Sequence, residues 1–196
     1  MTVRKAVSVT GAAAAAAVVL YREVVSGRLT IDIGIGRRTA ALGPVTVDIG
    51  APRELVFDVI AAPYLGRAGA AGEHIDVLER GSDLVVAAHR TPVGSGLVAT
   101  TVESVGFDRP ARVSFRLLRG PVPHVVETFR LDEVGDGTRL RYDGEIGTDL
   151  WRMGQLWGSL VGRAWERTVR SSLDDIRERS EQRAAAHRRR VKAPGT

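Results

Sequence analysis

The sequence predicts an α+β domain in which a curved antiparallel sheet of six to seven strands grips one long C-terminal helix. Three observations carry that prediction. Strand-like and helical stretches are segregated along the chain, as in α+β domains. Serial apolar-alternating runs from Glu73 to Ile146, with the compact turns Gly81-Ser82-Asp83 and Gly135-Asp136-Gly137, describe an antiparallel meander. Finally, no proline lies between Pro123 and Pro194, so a helix of about ten turns can run from Asp149 to Arg190. The inner face of the sheet needs a cover, and only this helix is long enough to provide it.

Taken in order, the chain opens with Ala6 to Tyr21, an uncharged, alanine-dominated run between Arg4-Lys5 and Arg22. As a helix it would span about 24 Å, short of the roughly 30 Å hydrocarbon core of a bilayer. Three readings compete: a marginal membrane anchor, a soluble helical leader, and the apolar region of a signal peptide. If it is an anchor, Arg22, Arg28, Arg37 and Arg38 behind it outnumber Arg4 and Lys5 before it, which places the body in the cytoplasm. Thr30 to Ile35 reads as a short strand or an extended lead-in. Gly34-Ile35-Gly36 is not a dinucleotide loop, because Arg37-Arg38 and Gly43-Pro44 follow it where a helix would be required.

Pro44 to Ile49 is a strand with Val45, Val47 and Ile49 on one face. Gly50-Ala51-Pro52-Arg53-Glu54 opens a helix, since proline suits the first turn and Glu54 meets the positive helix end. Leu55, Val56, Val59 and Ile60 form its buried side, and Pro63 ends it. Tyr64 to Gly72 is a second short helix or a loop. The strands expected next are Ile75–Arg80, Leu84–Arg90, Leu97–Phe107, Arg112–Leu118, Val125–Val134 and Thr138–Ile146. The closing helix carries an apolar stripe through Leu150, Met153, Trp157, Leu160/Val161, Ala164/Trp165, Val169, Leu173 and Ile176. Gly154, Gly158 and Gly162 form a second line, each costing about 1 kcal/mol of helix stability relative to alanine. They either admit close backbone approach or leave room for a ligand.

The 196 residues suffice for one domain with a sizeable core. Cysteine is absent, which excludes disulfides, thiol chemistry and cysteine zinc sites. The formal charge of +5 is confined to the end: from Arg177 onward seven Lys/Arg stand against two Glu, while residues 1–176 balance at 21 of each sign. A nucleic-acid-binding domain would carry its basic excess on the folded face, so that class is disfavoured. The tail is a solvated helix end or an element drawn to an anionic membrane.

The stretch from Val45 to Ile60 (VTVDIGAPRELVFDVI), the Asp136-Gly-Thr-Arg-Leu140 turn and the closing helix resemble the START-like, or SRPBCC, superfamily, closest to its polyketide cyclase/dehydrase-like branch. The resemblance covers about residues 44–180. It leaves 1–43 as an N-terminal segment and 181–196 as a basic tail. It implies a helix-grip fold with a cavity for lipids, sterols or polyketide-like ligands between sheet and last helix.

Period-two geometry places Glu127 on the face of Val125, Phe129 and Leu131, and Tyr142 on that of Leu140 and Ile146. These two are the polar groups expected inside. One reading leaves Glu127 at the sheet's open end, solvated or bonded to an arginine. The other makes it a ligand-orienting group or a general acid/base with Tyr142. Tyr64, Phe115, Phe129, Trp157 and Val161 complete the candidate ligand wall, with Trp151 at its mouth and Trp165 in deeper packing. His124 and Glu127, three apart on a strand, point to opposite faces and form no metal site. His74 and His89 lie near strand ends without spaced partners, and Ser159, Ser171 and Ser172 have no activating context. No metal, cofactor or nucleotide is expected. Three functions follow: hydrophobic small-molecule or lipid binding, with or without attachment to a membrane; a polyketide aromatase/cyclase-like enzyme; or a structural or stress protein whose helix fills the cavity.

Overall fold

In the computed structural model, which describes residues 2–66, 74–94 and 96–192, the chain folds as a seven-stranded antiparallel sheet closed by a long helix. Helix α1 spans Thr2–Val25 and is followed by β1, Arg38–Ile49, and α2, Arg53–Ala61. Six strands come next: β2 (Ile75–Arg80), β3 (Leu84–Gly94), β4 (Leu97–Asp108), β5 (Arg112–Arg119), β6 (His124–Val134) and β7 (Gly137–Thr148). Helix α3, Trp151–Lys192, ends the described chain. The sheet order is β1-β7-β6-β5-β4-β3-β2, so the hairpin meander runs from β2 to β7 and β1 returns beside the last strand. This is the α+β helix grip the sequence predicts.

Alternation decides the faces. Val113, Phe115 and Leu117 of β5, Val125, Phe129 and Leu131 of β6, and Leu140, Tyr142 and Ile146 of β7 are all buried against the helices. Helix α3 meets them with Val169 and Leu173, flanked by the half-buried Trp157, Val161, Trp165 and Ile176. Its contact with the body continues past residue 180: Ser180 and Ala184 are buried, and Glu181 Oε1 accepts the Gly50 N–H at 3.1 Å.

Several details differ from the sequence expectation. Strand β1 begins at Arg38, six residues before Pro44, because a bulge between Leu42 and Val45 absorbs the missing proline donor. Gly43 sits in that bulge at φ +81°, and its N–H points to Glu166 Oε1 at 3.4 Å. Thr30 to Ile35 is the extended lead-in, not a strand. It is tied to the start of α3 by Asp149, which accepts the N–H groups of Ile33 and Gly34 at 2.8 Å each. The second short helix or loop expected over Tyr64–Gly72 lies outside the described residues from 67 on. Met153 and Leu160, counted on the apolar stripe, are exposed, because the helix turns that side away from the sheet. Trp151 is exposed as well. No helix among the described residues is long and apolar enough to cross a membrane.

Candidate functional site

The inner face of the sheet carries two acid-centred clusters joined by aromatic rings. Glu127 of β6 is 7% exposed, and Oε1 accepts both the Tyr142 hydroxyl at 2.6 Å and the Trp165 indole N–H at 2.7 Å. No arginine among the described residues bonds to it, and its hydrogen-bond partners are Tyr142 and Trp165. Its neighbour across the β6–β7 ladder is Gly144, where a Cβ would lie 3.1 Å from Glu127 Cγ. The glycine leaves the space into which the carboxylate folds. Oε2 has no hydrogen-bond partner among the described residues.

The second cluster was not read from the sequence. Glu103 of β4 is 4% exposed; its Oε1 accepts the Thr101 hydroxyl at 2.6 Å and its Oε2 lies 3.1 Å from His89 Nδ1. His89 Nε2 in turn lies 3.1 Å from the Tyr64 hydroxyl. The sequence expectation that His89 lacks partners is thus corrected: antiparallel pairing sets β3 beside β4, with His89 opposite Thr101. The available signal was period two. Val85 and Ala87 predict an inward His89, just as Val105 and Phe107 predict an inward Glu103.

Aromatic contacts span the gap between the clusters. Tyr64 meets His89 and Phe115 at centroid distances of 5.7 and 5.9 Å, Phe115 meets Phe129 at 5.5 Å, and Phe129 meets Tyr142 at 5.5 Å. The fold thus brings five of the seven candidate residues, Tyr64, Phe115, Glu127, Phe129 and Tyr142, into one continuous wall. Trp157 and Val161 stand apart from it on α3. The Trp157 N–H donates to the Pro121 carbonyl at 2.8 Å, and its ring takes Tyr21 edge-on at 6.1 Å. Trp165, assigned only to deeper packing, is the tryptophan that reaches Glu127.

Electrostatics follow from burial. Desolvation, helped by the charge of Glu103, pushes the Glu127 carboxyl up to about 7 against the pull of its two donors. Burial works against a charged His89, but the bond to Glu103 and the two nearby carboxylates outweigh it and hold its pKa above the usual value. Burial raises both tyrosine hydroxyls, so each stays neutral, and Tyr142 donates to Glu127. A carboxyl poised near neutrality and touched by a phenol can hold or release a proton at physiological pH.

The helix glycines answer differently along their line. At Gly154 a Cβ would lie 1.6 Å from the Asp149 carbonyl oxygen, and at Gly158 3.1 Å from Thr148 Cγ2 and Oγ1. Both admit close approach to the end of β7. At Gly162 a Cβ would meet only Ile146 and Leu42, at 3.9 and 4.0 Å. Here a cleft of about 330 Å³ opens between α3, β1 and β7, with Leu42, Ile146, Gly158 and Gly162 in its wall and Arg38, Arg163 and Glu166 among its polar groups. None of the seven candidate residues lines it. No group of three or more His, Asp or Glu among the described residues could hold a metal ion.

Comparison with known proteins gives one sequence family. The model described as polyketide cyclase/dehydrase and lipid transport matches residues 44–181. No curated protein matches the chain. Among solved structures, the Zhui aromatase/cyclase from Streptomyces sp. R1128 is similar over 81% of this chain and 98% of its own, at 21% identity and a TM-score of 0.57. TTHA0849 from Thermus thermophilus is similar over 73% of this chain and 97% of its own, at 21% identity and a TM-score of 0.56. The di-domain ARO/CYC BexL from the BE-7585A biosynthetic pathway is similar over 76% of this chain and 50% of its own, at 19% identity and a TM-score of 0.53. At these identities the likeness is one of fold.

Proposed function

The chain belongs to the polyketide cyclase/dehydrase and lipid transport family, and on that premise we propose that it binds a hydrophobic small molecule or lipid between the sheet and α3. The observation that supports this reading is Glu127. Both of its donors converge on Oε1, and Oε2 is not among the fully buried atoms without a partner, so it is open to a donor from a ligand. The ligand's hydroxyl or enol would take that position, and Tyr64, Phe115, Phe129 and Tyr142 would supply the apolar wall, with Trp157 and Val161 along the helix. The cleft beside Gly162 would be the way in, since that glycine presents no side chain to a passing ligand. Its volume falls at the lower end of small-molecule sites, roughly 300–1,000 Å³. The resemblance bounds the binding unit at about residues 44–180; residues 38–43 of β1 and α3 as far as Ala184 pack onto it, and the segments beyond these could hold it at the cytoplasmic face of a membrane.

Native mass spectrometry of the protein purified from its host tests the proposal. A retained mass of lipid or polyketide size is expected, and consistently empty protein would favour a structural role. Gly162→Leu fills the cleft and should abolish uptake of that mass while the fold persists.

A second reading, an aromatase/cyclase-like enzyme, is favoured by the Glu127 carboxyl titrating near 7 in contact with the Tyr142 hydroxyl. Glu127 would move a proton at the carbon or oxygen of an enol while Tyr142 holds the developing negative charge. It requires that Glu127→Gln lose turnover and keep binding; unchanged turnover removes Glu127 from any mechanism.

A further inference from the structure

We propose that the outer side of the first half of α3 docks the protein on an anionic lipid surface. Met153, Leu156 and Leu160 are 71%, 73% and 60% exposed. Helical spacing sets them on one side of α3, opposite Trp165, Val169 and Leu173, which face the sheet. A helix whose only task was to cover the sheet would carry polar residues there. Nearby surface extends the patch: Tyr21 rests on Trp157, which brings the exposed Val19 and Leu20 of α1 to the same end of the helix.

Charge selects the occupant. The next turns of α3 carry Arg163, Arg167 and Arg170, which line a shallow depression with Leu160 and Glu166. None of the three arginines is in an ion pair among the described residues. A second copy of this chain packed on the same face would bring these arginines against one another. A bilayer suits both halves of the surface. The leucines would enter the boundary between headgroups and acyl chains, roughly 5–10 Å deep, while the guanidinium groups stay with the phosphates. This surface is centred on α3, with Val19 and Leu20 of α1 only at its border; it is distinct from the basic tail and does not depend on whether the interior holds a ligand.

Co-sedimentation of the full chain with phosphatidylcholine vesicles, with and without phosphatidylglycerol, tests the proposal. Binding is expected with phosphatidylglycerol and should weaken as salt rises. The double variant Leu156→Ser/Leu160→Ser should lose affinity by about 100-fold, from the two apolar side chains removed. Arg163→Gln/Arg167→Gln should lose the preference for phosphatidylglycerol. Both variants keep residues 1–24 and the tail, so undiminished binding by either would assign attachment to those segments and overturn the proposal. A dimer in analytical ultracentrifugation that the leucine variant dissolves would assign the face to a second copy instead. If a variant melts early by circular dichroism, tryptophan quenching of the wild-type protein by brominated lipids decides: quenching is expected, and its absence overturns the docking.

Discussion

Glu127 accepts two hydrogen bonds on one oxygen and lies inside the sheet, so its charge is costly at a pH where most carboxylates are ionised. Its carboxyl titrates near 7 in the fold against an ordinary 4.5. Between those values the folded chain binds the extra proton, so stability falls as pH rises through that window, by about 3 kcal/mol for this group. His89 acts in the same direction: with its pKa raised, its contribution is full at low pH and disappears as pH rises through the folded value. Urea unfolding should therefore give higher stability at about pH 5 than at about pH 8, and Glu127→Gln should flatten much of that slope. A wild-type protein more stable at the higher pH would contradict the buried placement of Glu127. At the second cluster, His89→Leu strands the Glu103 charge and should cost about 3–5 kcal/mol. Adding Glu103→Leu should recover part of it, and strictly additive losses in the double-mutant cycle would show that the pair is not coupled. Glu127 and Tyr142 were legible from alternation alone. Their bond was not, nor was the Tyr64–His89–Glu103 cluster, because those residues meet across strands and a turn rather than along one stretch.

Helix α3 reads in the sequence as a stripe and a line of glycines, and the line divides by what faces each position. Gly154→Ala drives a Cβ onto the Asp149 carbonyl and should destabilise by more than about 2 kcal/mol, the range of overpacking against backbone that cannot yield. Gly162→Ala meets only ordinary contacts and should stabilise by about 0.5–1 kcal/mol through helix propensity. Chemical denaturation of the two variants checks the pair, and equal effects would mean the helix does not approach the sheet unevenly. The start of the helix depends on a residue outside it. Asp149 holds Arg37 at 2.7 Å besides the two lead-in amides, and Arg37 keeps its carboxyl well down, at about 2. Leu150 and Trp151 follow at φ +69° and +48°, a left-handed turn that non-glycine residues adopt only at a cost. Asp149→Asn removes the charge that fixes this turn. The Ile33 and Gly34 amides should then exchange faster with deuterium, and unchanged exchange would show that the lead-in is held by other contacts. In the wild type the same tie persists above the ordinary carboxyl value and is lost only as pH falls towards 2.

Across the whole molecule, the charge and contact patterns of α3 do not coincide. The net charge sits from Arg177 onward, yet Ser180 and Ala184 are buried, and Glu181 takes the Gly50 N–H just before α2. A chain ending at Arg179 should unfold with a clearly lower midpoint, because Ala184 and the Gly50 contact are lost, whereas one ending at Arg190 should keep the wild-type midpoint. Thermal melts of both decide whether the packed helix stops at residue 180 or beyond it. The sequence by itself determined the element order, the strand faces and the helix grip, since periodicity, turn residues and the proline-free run are local and a sheet's apolar face must be covered. Only the tertiary structure decided which polar groups share the interior, where the helix touches or leaves room, and which leucines stay in water. Those depend on strand register and on the rotation of α3 against the sheet, which many side chains set together and no single stretch encodes.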